Sequence, residues 1–111
     1  MLFGGKTLTP ASIRQPFARY GHGVAVPDGA RWIVTSGQLG ITVADLVSEG
    51  AEAQAALCFA NCAAILAEGG MGPQDVVRIN GFVTDRAIWR GIWRRGTLGW
   101  RRFRGCLRPS W

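Results

Sequence analysis

Apolar and β-branched residues alternate with small or polar ones over two stretches in the first third of the chain. Tyr20 to Val26 alternates loosely, with Val24 and Val26 on one face. Trp32-Ile33-Val34-Thr35 runs straight into the small polar corner Ser36-Gly37-Gln38. A period near two in segments of this length predicts strands. Between them, Pro27-Asp28-Gly29 reads as a turn, because Pro presets φ and Gly accepts positive φ cheaply. The pattern predicts a β-hairpin whose second strand ends in a hydroxyl, a flexible backbone and an amide. Upstream, Pro10 and Pro16 break any helix, and residues 1–19 are expected to be an entry segment pairing at a sheet edge.

The period then changes. Gly40 to Gly50 reads as a loop with a short extended piece around Ile41 to Val43. Ala51 to Glu68 contains no Pro or Gly and is rich in strong helix formers. Leu57, Ala60, Ala64 and Ala67 form one helical stripe, flanked by Cys58, Cys62, Ile65 and Leu66, which predicts close packing on a sheet. Gly69-Gly70 supplies the helix stop, and Gly72-Pro73-Gln74-Asp75 a turn. Val76 to Thr84 predicts a third strand with Val77, Ile79 and Gly81 on one face and Phe82 on the other. Asn80-Gly81 inside it marks a bulge or a close approach to the backbone. The expected fold class is α+β, a small mixed sheet with a helix packed on one face.

Composition narrows the class. A chain of 111 residues supports one small domain, and 48% apolar residues argue against disorder. No apolar run approaches the roughly 20 residues that span a bilayer, and the first residues lack signal-peptide order. The expectation is a cytoplasmic protein with no membrane partner.

Charge divides the chain. Residues 1–86 carry six basic residues against seven acids, whereas residues 87–111 carry seven Arg and no acid. Four of the five Trp lie in that same tail. A cationic, aromatic segment of this kind suits phosphates and bases, but its four Gly argue against a stable helix. The competing reading is out-of-frame sequence, since Arg, Gly, Trp and Pro have G/C-rich codons.

Candidate chemistry is sparse. Cys58, Cys62 and Cys106 have no C-x-x-C pairing and no His at ligand spacing, so no metal is expected. Cys58 and Cys62 share one side of the helix, where free Cys behaves as a small apolar residue. His22 is the residue type most often used for acid–base work, although a lone strand histidine is more often structural. Gly21-His22-Gly23 lacks the Lys-Ser/Thr of a phosphate loop. Glu49 and Glu52 suit the positive end of the helix dipole and need no catalytic explanation.

Tyr20-Gly21-His22-Gly23-Val24, Thr35-Ser36-Gly37-Gln38, Glu52-Ala53-Gln54, Asp75-Val76-Val77-Arg78 and Phe82-Val83-Thr84-Asp85 follow one another in an order that resembles the RidA (YjgF, reactive intermediate deaminase) family, over roughly residues 16–86. The resemblance implies a compact RidA/chorismate-mutase-like α+β domain, a homotrimer, and ligand clefts between subunits. It also implies hydrolysis of enamines and imines such as 2-aminoacrylate to 2-keto acids and ammonia, with no cofactor. Carried over by residue, Tyr20 matches the family's cleft tyrosine, and Ser36-Gly37 its cleft wall. Asn80 joins them as a candidate substrate-binding residue from its place on the third strand. The catalytic residue stays unknown.

The chain departs from the family pattern at its far end. Deaminating members use an Arg that clamps the substrate carboxylate and a Glu near the C-terminus. Here no acid follows Asp85, and no tail Arg sits in a recognisable copy of the Arg-bearing strand. Ile88-Trp89-Arg90-Gly91-Ile92-Trp93-Arg94 can be encoded by codons that read (Tyr)-Met-Ala-Gly-Tyr-Met-Ala in the neighbouring frame, similar to the second helix of some relatives. The expected organisation is a truncated RidA-like domain over 1–86, lacking its C-terminal strands, and an out-of-frame tail over 87–111. Three functions stand open: a RidA-like protein of deaminase ancestry, inactive if the missing groups are essential; a non-catalytic small-ligand binder on that fold; and RNA binding through the tail, the least favoured.

Overall fold

The computed structural model describes residues 6–16, 21–85 and 87–88. Two short strands, β1 (Lys6–Leu8) and β2 (Gly23–Ala25), pair antiparallel with Lys6 opposite Ala25, Thr7 opposite Val24 and Leu8 opposite Gly23. The entry segment therefore does pair at a sheet edge. After β2, the Ala30 N–H donates to the Pro27 carbonyl at 3.2 Å, and Gly29 takes a φ of 74°. Positive φ at the third residue is what a type II turn asks of glycine.

The turn forms, but the hairpin expected around it does not. Residues 31–39 have no ladder partner. They run instead along the 18-residue helix α1 (Ala51–Glu68), in the opposite direction to it. The order of contacts shows this. Arg31 Nη1 donates to the Gly69 carbonyl just beyond the helix, and Ile33 packs on Leu66. The Cys58 thiol donates to the Gln38 carbonyl, and Gly40 abuts Gln54 in the second turn. Hydrophobic alternation shows only that one side of a segment is covered. Here a helix supplies the cover for Ile33, and side chains rather than a ladder hold the backbone.

The helix ends as its glycines predict. Gly70 adopts φ 76°, its N–H donates to Ala67 O at 3.0 Å, and Met71 N–H donates to Leu66 O at 2.8 Å. This pair of bonds is the Schellman arrangement, and Met71 packs on Leu66 as its apolar companion. No basic residue lies in the helix's last turn, so the Arg31 guanidinium brings positive charge to the carbonyl end from another segment.

The buried face of α1 differs from the one expected. Ala60, Ala64 and Ala67 are exposed. Phe59, Cys62, Ala63 and Leu66, spaced i, i+3, i+4 and i+7, point inward, with Leu66 the one buried large apolar side chain among the described residues. Alanine occurs on every side of this helix, so periodicity alone could not select a face. The larger side chains select it, because covering a Leu or Phe stabilises by about 1.5–3 kcal/mol and covering an Ala by much less.

Leu66 gathers Ile33 from one segment and Met71, Val76 and Ile79 from the other side of the helix stop. Between them, Pro73–Asp75 forms a single 3-10 turn, closed by the Gly72 N–H donating to Asp75 Oδ2 at 2.9 Å. From Val77 to Val83, covered and exposed residues alternate, with Val77, Ile79, Gly81 and Val83 covered and Arg78, Asn80 and Phe82 exposed. This is the face assignment the sequence predicts, although the segment forms no ladder among the described residues. The described architecture is α+β: a two-stranded antiparallel sheet and one long helix flanked by extended segments.

Candidate functional site

The polar corner at Ser36-Gly37-Gln38 is held at its downstream end. The Gln38 carbonyl accepts from the Cys58 thiol at 3.3 Å, and the Leu39 carbonyl accepts from Asn61 Nδ2 at 3.5 Å. Cys58 and Asn61 are three residues apart, so one helix face presents both donors. One step on, the Ser48 N–H donates to Gly40 O at 2.9 Å, and Gln54 Nε2 donates to Ser48 O at 3.0 Å. The backbone is therefore tied to α1 directly at Gln38 and Leu39, and through Ser48 at Gly40.

The corner itself faces solvent. Ser36 and Gly37 are exposed, and no atom lies within 4 Å of the place a Cβ on Gly37 would occupy. Gln38 is half-buried and turns its amide back, Nε2 donating to the Ser36 carbonyl at 3.2 Å. The arrangement leaves a hydroxyl and an unobstructed glycine backbone open to a small polar ligand. Hydroxyls and backbone amides are the donors a carboxylate accepts from.

Asn80 is exposed as well, with Oδ1 accepting from Arg78 Nε at 3.2 Å. The described hydrogen bonds do not connect Asn80 to Ser36 or Gly37. Tyr20, the remaining candidate, lies outside the described residues, as do residues 89–111 and hence almost all of the Arg/Trp-rich tail. His22 is exposed, and its Nε2 lies 2.6 Å from the Arg14 carbonyl. A carbonyl can only accept, so Nε2 carries the proton in that contact.

The residues that organise the corner were not among the sequence candidates. The sequence alone places Cys58 in the helix as a small apolar residue and gives Asn61 no role. Their i, i+3 spacing on a helix otherwise rich in alanine was the available signal. Burial pushes the Cys58 thiol up from its ordinary pKa and the neighbouring Cys62 adds to this, partly offset by backbone hydrogen bonding. A thiol shifted this way stays protonated and serves as a donor rather than a nucleophile.

Among the described residues, no group of three or more His, Cys, Asp or Glu is placed to hold a metal ion, and no helix is long and apolar enough to cross a membrane. The family model described as Endoribonuclease L-PSP matches residues 11–94, which contain the β2 strand, the polar corner, α1 and the segment after it. No curated protein and no solved structure matches the chain.

Proposed function

This chain belongs to the Endoribonuclease L-PSP family, the RidA/YjgF family, and from that premise we propose that it descends from enamine and imine deaminases and handles a small imine, enamine or keto acid at the Ser36-Gly37 corner. The observation that carries the reading is that corner, exposed and unobstructed beside backbone anchored to α1, inside the matched residues. In the reaction, a 2-aminoacrylate-type enamine tautomerises to its imine, the proton moving from nitrogen to the methylene carbon, and water then adds to the imine carbon. The resulting carbinolamine loses ammonia and leaves a 2-keto acid. Ser36 and the backbone at Gly37 would hold the carboxylate or water, with Tyr20, by its match to the family's cleft tyrosine, and Asn80 as further candidates. Positioning of this sort lowers the barrier without any strong base.

The same reading makes the protein cytoplasmic, and a homotrimer if the fold is complete. Trp32, Val34 and Phe82 are exposed on the sides of their segments away from Leu66, which suits coverage by a neighbouring subunit. Residues 87–111 are out-of-frame text on this proposal, and the nucleotide sequence across the codons for Asp85 to Ile88 tests it. An intact frame with the same tail in close relatives would end it.

A non-catalytic ligand binder follows if the groups not found after Asp85 are indispensable. Release of 2-keto acid from enzymatically generated 2-aminoacrylate separates the two: turnover above the uncatalysed rate supports the deaminase, and binding of a keto acid without turnover supports the binder. RNA recognition has in its favour the seven tail Arg and the endoribonuclease in the description of the matching family. Salt-sensitive RNA binding that vanishes on deleting residues 87–111 would establish it.

A further inference from the structure

We propose that Cys58 and Cys62 form a two-thiol site for a trivalent, thiophilic metalloid of the organoarsenical class. Both are free, both are half-buried, and they lie four residues apart on α1. Residues at that spacing are neighbours on one helix face, their Cβ atoms about 5–6 Å apart.

That separation decides between the reactions open to two thiols. A direct disulfide needs Cβ atoms roughly 3.5–4.5 Å apart, so joining these two would require the helix to distort. An atom inserted between the sulfurs lengthens the bridge and fits the helix as it stands. Zinc in a structural site wants four ligands, and no third His, Cys, Asp or Glu completes such a set among the described residues. A monosubstituted trivalent arsenic carries its own third substituent and needs only two sulfurs.

The thiols' protonation also suits this chemistry. Cys58 is held protonated and donates to the Gln38 carbonyl, which disfavours reactions that begin from a thiolate. Condensation with an arsenic oxide needs none: two S–H bonds and the arsenic–oxygen bonding break, two As–S bonds form, and both protons leave with the oxygen as water. Arsenic stays trivalent throughout. Bridging removes the Cys58 donor and so releases the Gln38 carbonyl, which links this site to the polar corner.

Titrating the full chain with phenylarsine oxide, while counting free thiols and weighing the product by mass spectrometry, tests the assignment. The expected result is one phenylarsine per chain, loss of two of the three thiols, and an adduct that maps to residues 51–68. Because the second As–S bond forms within the chain, Cys58→Ser and Cys62→Ser should each weaken capture by about 100-fold, while Cys106→Ser leaves it unchanged. No adduct, an adduct bridging Cys106, or undiminished capture by Cys62→Ser would overturn it. The thiol count on the unaltered protein decides the matter even where a variant fails to fold.

Discussion

Gly40 lies so close to Gln54 that a Cβ on Gly40 would stand 2.5 Å from the Gln54 Cβ and 2.6 Å from its Cα. The loop after the polar corner thus crosses the second turn of α1 with no room for a side chain. The helix backbone is part of the obstacle, so a rotamer change cannot relieve it. We expect Gly40→Ala to destabilise the fold by about 1–3 kcal/mol, the usual cost of overpacking. A lower midpoint in denaturant with an unchanged slope is the measurement.

Leu66 and Ala64 are two residues apart and should behave oppositely. Leu66→Ala removes the centre of the cluster made by Ile33, Phe59, Met71, Val76 and Ile79, and should cost about 2–5 kcal/mol. Ala64 is exposed, so Ala64→Lys should stay within about 0.5 kcal/mol of the parent. The reverse order would mean that the alanine stripe, not the Phe59–Leu66 face, is the packed one.

Cys58 makes stability depend on alkaline pH. Its folded pKa is raised, so the folded state holds the proton more tightly than the unfolded one. The resulting stabilisation is fully present below the unfolded thiol pKa of about 8.5. It is lost progressively as pH rises through the higher folded pKa. Thermal melts of the parent should fall more steeply above that pH than melts of Cys58→Ala, and parallel curves would contradict the assignment.

At the polar corner, Ser36→Ala deletes the exposed hydroxyl and leaves the backbone anchors at Gln38 and Leu39 in place. If the proposed deamination occurs, keto acid release should drop roughly 10- to 100-fold, the range for losing a hydrogen bond to a charged group. Melting should be unaffected, which separates loss of the contact from loss of the fold.

Phe82 is about 90% exposed and lies two residues from Asn80. We expect Phe82→Asp to shift sedimentation toward smaller species if the Trp32, Val34 and Phe82 surface is a subunit contact. Charged groups are depleted at the centre of such contacts. An unchanged sedimentation profile for an assembly that does form would remove these residues from its interface.

Local chemistry alone determined much of this chain. Proline and glycine at 27–29 set the turn, the unbroken run from Ala51 to Glu68 made the helix, and Gly70 ended it. Each depends on dihedral preferences that a residue carries wherever it sits. The alternation of cover from Val77 to Val83 was legible from the period-two pattern of its side chains, and the Ser36-Gly37-Gln38 corner as a polar break after an apolar run. Tertiary structure decided which surfaces meet. It placed Arg31 to Gly40 along α1 instead of pairing them with β2, and it turned Phe59, Cys62 and Leu66 inward and the alanines out. It also brought Cys58 to the Gln38 carbonyl, twenty residues away in sequence. A period shows that a face is covered, while the identity of the cover depends on volume and hydrogen-bond partners from distant parts of the chain.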